Sequence, residues 1–380
     1  MIERTTYLAL VLAVCGTASA ISRGDLGFSP SHLAHIGLQV ERELARGEFA
    51  GCVVAIGRSE GLGYLQAFGH RTLEPTVAPM TTDTVFDMAS VTKPVATATS
   101  VMLLVERGRL RLADRIAKHL PGLTGEGTKA ITVEQLLTHN AGYVPDNPLA
   151  DFQHGVDEAW RRLLALEPKW PPGSTFKYSD VGFELLGRIV ENVDGRPLDR
   201  FAREEIFEPL GMNETGYLPA AALRDRAAAS EQRDGEWLVG EVHDPRAHLL
   251  GGVAGHAGLF STAEDLARYA RCLLRGGTLD GARLMSPLTL AEMTRPRDVA
   301  SNLRGAGWDM RSGYSSNRGE LLSPQAFGHG GFTGTAMWID PANDLFVIFL
   351  SNRLHPDGKG SVNPLAGRIG SIAAASIVGE

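Results

Sequence analysis

The stretch Asp87-Met88-Ala89-Ser90-Val91-Thr92-Lys93-Pro94 constrains this chain more than any other, because it opens an apolar run that continues to Val105. Residues three apart on a helix share a face, so the Ser90 hydroxyl and the Lys93 amine can meet. Pro94 has no N–H and fits only in a first helical turn, which places the helix start close to Ser90. The Ser90 amide is then left free at the positive end of the helix. A hydroxyl, an amine and an unused N–H at one point are three parts of an acyl-transfer site, with Ser90 as nucleophile.

Two other serines compete for that role. Ser174-Thr175-Phe176-Lys177 repeats the spacing, but it follows Pro171-Pro172-Gly173, so a loop is expected and the one-turn geometry fails. Gly57-Arg58-Ser59-Glu60-Gly61 matches a nucleophile elbow, which needs a strand before and a helix after. Strand-like residues flank it on both sides, so it reads as a hairpin turn.

Arginines outnumber lysines 31 to 6, which makes Lys93 hard to dismiss as one surface lysine among many. The net charge of −7 and the lack of a basic block argue against a nucleic-acid partner. Tyr7 to Gly16 is an apolar segment too short to span a bilayer, and Ala18-Ser19-Ala20 is a small-residue cleavage site. Residues 1–20 therefore read as a signal peptide cleaved near Ala20, giving an extracytoplasmic protein. Leu12-Ala13-Val14-Cys15 approximates a lipoprotein box, so membrane anchoring would follow only if Cys15 were lipidated. Cys52 and Cys272 would remain, as buried thiols by default or as one disulfide.

The hydrophobic periodicity predicts an amphipathic helix over 29–49, then strands at 51–56 and 63–68. Helices follow at 157–166, 183–193, 198–210 and 263–274, with Thr132 and Thr262 as N-caps. Strands return at 335–340 and 345–350 around Pro341-Ala342-Asn343-Asp344, and an apolar helix over 369–378 closes the chain. The pattern is α+β: an antiparallel sheet built from both chain ends and flanked by helices, with a mostly helical second lobe. Residues 21–110 with 300–380 form the α/β lobe and 111–299 the helical one, the site lying between them. Residues 142–155 and 220–250 are polar, and the second stretch reads as an inserted flap.

An acyl-transfer site also needs a proton donor and oxyanion donors. Tyr178, just before a helix, can project into a cleft with Asp180 beside it; the alternative is a half-buried core tyrosine next to a turn. His329-Gly330-Gly331-Phe332 precedes a strand, and its glycines let backbone approach a ligand. There the Phe332 N–H can serve as second oxyanion donor; the alternative is a glycine-rich turn with His329 exposed. The histidines lack metal-ligand spacing, and neither a metal nor an organic cofactor is expected.

Together and in this order, Ser90-Val91-Thr92-Lys93, Tyr178-Ser179-Asp180 and His329-Gly330-Gly331 resemble the serine β-lactamase and penicillin-binding-protein superfamily. The resemblance is to its class C-like branch, with family VIII esterases and D-amino-acid peptidases. Leu136 to Gly142, Pro209-Leu210-Gly211-Met212, Ser261 to Leu266 and Gly334-Thr335 extend it over roughly residues 29 to 355. Val242-His243-Asp244 and Gly252 to Ser261 are similar to a narrower group of cell-wall, amidase-like hydrolases. The resemblance implies a Ser90 acyl-enzyme, with Lys93 as base, Tyr178 as proton shuttle and the Ser90 and Phe332 amides as oxyanion donors. Asp180 and His329 would orient the base and the tyrosine. The substrate would be a muropeptide or peptidoglycan-derived peptide, with a short-chain ester as alternative; a non-turnover penicillin or muropeptide sensor is the reading of another class. Asp180 stands where the family has asparagine, and His329 where β-lactamases have lysine. Both changes should raise nearby pKa values or weaken the grip on a substrate carboxylate, and so disfavour β-lactam turnover.

Overall fold

A computed structural model describes residues 26–378; residues 1–20, expected to be a signal peptide, lie outside the described residues, Cys15 and Ala20 among them. Within them a nine-stranded antiparallel sheet runs in the order Arg297–Val299, Asn302–Arg304, Asp309–Arg311, Phe327–Gly331, Thr335–Asp340, Leu345–Ser351, Gly51–Arg58, Gly61–Thr72 and Ala78–Pro79. The C-terminal strand Leu345–Ser351 and the N-terminal strand Gly51–Arg58 pair at its centre, with Val54 opposite Phe349. Both are buried along almost their whole length, which is why they read as continuous apolar runs rather than alternating ones. Ser59 lies in the first hairpin turn, its hydroxyl bonded to Asp344 at 3.0 Å, so it is no nucleophile elbow.

Each face of the sheet has its own core. Helix Pro30–Ala45 buries Leu33, Ile36 and Val40, and with helix Asn363–Ala375 covers one face. The described ends meet there: Phe28 bridges Ile377, and the Ser29 amide donates to the Ser376 carbonyl at 2.6 Å. The closing helix begins at Asn363 rather than at 369, with Pro364 in its first turn. Cys52 and Cys272 are both free and buried.

The other face packs against helix Ala263–Leu274, capped by Thr262, and this core continues without a break into the helical region. The broad apolar side of this helix, which falls within the 111–299 stretch, supplies the cover this face of the sheet needs. The segment 198–210 is not one α-helix; Leu198–Ala202 passes into a wider π turn at Arg203–Phe207. Residues 220–250 hold a short helix Ala221–Arg224, a hairpin Ala229–Arg233 with Glu236–Val239, and a helix Pro245–Leu249.

Candidate active site

The segment that carries Ser90 and Lys93 is a composite helix. Ala89–Val91 forms a 3₁₀ turn, Lys93–Ala98 a π turn, and Thr99–Glu106 an α-helix. Val91, Val95, Ala98, Val101, Met102 and Leu104 are fully buried, so the helix is apolar all round and runs through the core. Pro94 sits in its first turn, where the sequence required it. Ala89, with φ +44°, adopts the left-handed region that a side chain disfavours. The surroundings impose it: Asp87 accepts from the Ala89 amide at 2.8 Å and from the His243 amide at 2.7 Å. The Thr333 and Thr335 hydroxyls donate to the Asp87 and Met88 carbonyls at 2.7 and 3.1 Å. Gly331 lets the strand come this close, because a Cβ there would meet Thr335 Oγ1 and the Met88 carbonyl oxygen.

Lys93 is fully buried. Its Nζ donates to Ser90 Oγ at 3.0 Å and to the His256 carbonyl at 3.0 Å, and pairs with Asp180 Oδ1 at 2.6 Å. Burial pulls the pKa of the amine down, but the Asp180 carboxylate and Tyr178 outweigh it, and the net direction is up. Lys93 is therefore an ammonium at neutral pH, not the neutral base expected from sequence. Asp180 is the first residue of helix Asp180–Asp194, which Ser179 caps through the Gly182 amide.

Tyr178 lies immediately before that cap. Its hydroxyl is buried without a well-formed hydrogen bond, and its ring centroid is 4.9 Å from Lys93 Nζ. Burial raises the phenol pKa more than Lys93 and Ser90 lower it. His139 stacks on the ring at 4.4 Å while its Nδ1 accepts from the Ser179 amide at 3.1 Å. Burial, then Arg304 and Lys93, hold His139 well below the usual histidine range, so it is a neutral wedge that fixes the phenol.

His329 is buried on strand Phe327–Gly331, not exposed in a turn. Its Nδ1 is 2.7 Å from the Gly330 carbonyl, which makes Nδ1 the protonated nitrogen; Nε2 is buried and unbonded. Burial and the charges of Arg304 and Lys93 keep the ring neutral. Its ring lies 5.9 Å from that of Tyr178. Phe332 lies in the turn just after the strand, its ring exposed and stacked on His243 at 5.1 Å.

Ser90, Tyr178 and His329 to Phe332 line one cavity of about 230 Å³ with Arg304, Asp309, Tyr314, Asn317 and Asn363. Motif reasoning missed Arg304. Its guanidinium has no exposed surface and lies 3.1 Å from Asp309, yet none of its three nitrogens makes a well-formed hydrogen bond. Ser174, by contrast, is tied into its own turn by a 2.6 Å bond to the Pro171 carbonyl, and Lys177 lies over Trp170.

Asp180, Asp244 and His256 present ligand atoms within 4.8 Å of one another, a spacing a metal ion could use. The charges there already balance in pairs, Asp180 with Lys93 and Asp244 with His256, so the trio reads as an ion-pair network.

Residues 39–370 match the family model described as Beta-lactamase. The chain belongs to that family. Its relatives within the Beta-lactamase family include an Escherichia coli (strain K12) protein named "Putative D-alanyl-D-alanine carboxypeptidase". That protein is 31% identical over 94% of this chain and 92% of its own length. A Salmonella typhimurium protein of the same name is 33% identical over 80% of this chain and 77% of its own. Among solved structures, a penicillin-binding protein homolog from Caulobacter crescentus superposes with TM-score 0.73 at 26% identity, covering 92% of this chain and 99% of that one. A family VIII carboxylesterase superposes with TM-score 0.72 at 22% identity over the same shares, a likeness of fold. The resemblance read from the three motifs is borne out, and the chain is a serine hydrolase of the β-lactamase fold.

Proposed function

We propose that this chain is an exported hydrolase of peptidoglycan-derived peptides or muropeptides, of carboxypeptidase type, working through a Ser90 acyl-enzyme. The observation that carries the reading is Arg304. A buried guanidinium with unused donors in the catalytic cavity is costly unless a ligand satisfies it, and a carboxylate fits its fork geometry. The free carboxylate at the C-terminus of a peptide supplies that partner, so Arg304 takes the role that neutral His329 leaves open. The names of the carboxypeptidase relatives point the same way.

In the first half-reaction Ser90 Oγ attacks the scissile carbonyl, and the Ser90 and Phe332 amides hold the oxyanion. The Ser90 proton passes to Lys93 Nζ while Lys93 releases one of its own to Asp180, so the lysine stays an ammonium throughout. The phenol of Tyr178 protonates the departing amine and is restored through Lys93. Water then repeats the sequence on the ester, releasing the acid and regenerating Ser90.

The test is turnover of a D-Ala-D-Ala-terminated peptide and of p-nitrophenyl acetate, together with mass labelling of Ser90 by penicillin. Repeated release of D-alanine that is lost in Ser90→Ala is the expected result. Turnover of the acetate alone would favour the esterase reading, for which the aromatic wall of Tyr178, Tyr314 and Phe332 speaks. A label that never turns over would favour a sensor. Full activity in Ser90→Ala would sink the mechanism.

A further inference from the structure

Outside the cavity lining, against the other side of Lys93, lies a set of ionisable groups that acyl transfer as described does not use. His256 is 1% exposed, its Nε2 2.9 Å from Asp244 Oδ1 and its Nδ1 3.5 Å from Glu184 Oε1. Its carbonyl is the one that accepts from Lys93. Glu184, one turn beyond Asp180 on the same helix, is fully buried, and neither of its carboxylate oxygens has a hydrogen-bond partner.

Three segments clasp this group. Thr97 donates to the Gly255 carbonyl at 2.7 Å, and Gly255 presses so close to helix Asp180–Asp194 that a Cβ would meet the Phe183 carbonyl. Asp244 caps helix Pro245–Leu249 through the Arg246 and Ala247 amides, at 2.9 and 2.8 Å, while it holds the imidazole. The charged and titratable groups facing His256 are Asp180 and Glu184 from one helix, Lys93 from another, Asp146 from the 142–155 loop, and His243, Asp244 and Arg246.

Burial works against the imidazolium, but Asp244, then Glu184 and Asp180, lift its pKa to about 9. Glu184, driven up by burial to about 7, is neutral on the acid side of neutrality. Two carboxylates, Asp180 and Asp244, thus face two cations, Lys93 and His256. Without the second cation both carboxylates would share one ammonium, and Asp180 would hold a proton more tightly.

We propose that His256 is a positioning residue of the acylation step: its imidazolium, fixed by Asp244, keeps the Asp180 carboxylate ionised beside Lys93, while its carbonyl aims the Lys93 amine at Ser90. The proposal rests on Ser90 as nucleophile but on no particular substrate. In acylation the Ser90 O–H bond breaks as the bond from Oγ to the substrate carbon forms, and the proton reaches Asp180 through Lys93. His256 neither gains nor loses a proton; it sets how readily Asp180 accepts one.

The experiment follows the rate of Ser90 labelling by a fluorophosphonate, read by intact mass from pH 4.5 to 8.5, in the full chain. In wild type the rate should rise with pH to a plateau. In His256→Gln the rise should move upward by about one pH unit or more, cutting the rate about tenfold below the midpoint and recovering to within about twofold by pH 8.5. In His256→Gln/Asp244→Asn, where both charges are gone, the midpoint should return to within about half a unit of wild type. A rate lowered equally at every pH, or the same midpoint in both variants, would overturn the proposal. A second readout needs no variant: ¹⁵N NMR of the wild-type imidazoles should show His256 with both nitrogens protonated at pH 7.5, and a neutral ring would overturn the proposal as well. Absence of labelling in wild type at every pH would count against Ser90 as nucleophile, and the NMR titration would still decide on His256.

Discussion

Lys93 Nζ and Asp180 Oδ1 stand 2.6 Å apart inside the protein, so the amine that reaches Ser90 is salt-bridged rather than free. The family's asparagine at that position would accept the same hydrogen bond without the charge. The exchange of a neutral amide for an anion changes what the pair can do. Alone, a buried lysine loses its proton easily; paired with a carboxylate, it keeps it.

The first prediction concerns that charge. Asp180→Asn removes an anion paired with the lysine that reaches Ser90, so turnover of a carboxylate-bearing cephalosporin should rise severalfold relative to p-nitrophenyl acetate. The ratio of the two kcat/KM values, measured side by side, is the readout. An unchanged ratio would mean that substrates do not sense Asp180.

Arg304 gives a second. Removing it alone would strand Asp309 in the core at a cost of about 3–5 kcal/mol. The informative variant is therefore Arg304→Gln/Asp309→Asn. For a D-Ala-D-Ala peptide its KM should rise about tenfold or more, as expected when a charged hydrogen bond is lost. For the neutral acetate ester KM should move less than about twofold. Equal losses on both substrates would remove Arg304 as a carboxylate partner.

Stability should depend on pH through His256. Its pKa is raised on folding from 6.5 to about 9. The stability it adds is fully present below 6.5 and lost as pH climbs through about 9, on the order of 3 kcal/mol. Asp244, shifted down in the folded protein chiefly by the His256 charge against the opposing effect of burial, acts at the other end. Its contribution is present above 3.8 and lost as pH falls below that value. Melting temperatures across pH 6 to 10 should decline in wild type and flatten in His256→Gln. A wild-type profile that rises toward pH 10 would contradict the assignment.

Gly331 offers a fourth. In Gly331→Ala the new methyl meets the Met88 carbonyl at 2.5 Å and Thr335 Oγ1 closer still, and both belong to the contacts that hold the turn before Ser90. Labelling of Ser90 should slow by more than about tenfold, while the protein loses about 1–3 kcal/mol and stays folded. Wild-type labelling kinetics would show that the turn tolerates displacement.

The features legible in the sequence were those encoded locally. The Ser90–Lys93 spacing, the Thr132 and Thr262 caps and the hairpin at Pro341 each depend on neighbours a few residues away. The features that were not legible depend on distant contacts. Arg304 is one of 31 arginines, on a three-residue strand, and only the sheet brings it beneath Tyr178 and His329. His139 stood within a recognised segment, but nothing local showed that it would wedge against Tyr178. Helix Asn363–Ala375 starts before the expected 369 and includes Gly367 and Gly370. They are there because the backbone at Arg318 and Gly319 passes too close for a side chain. The cation that shares the cavity with the neutral His329 was hidden for the same reason, since Arg304 comes from another strand.

The contact between Ser29 and Ser376 brings the two described ends of the chain out at one point, on the sheet face covered by helices Pro30–Ala45 and Asn363–Ala375. The cavity draws its lining from the opposite core, from the sheet's far strands and from Asn363, the first residue of one of those covering helices. Two labels placed on the first and last described turns of the chain would therefore sit side by side, and energy transfer between them would report the fraying of that one seam.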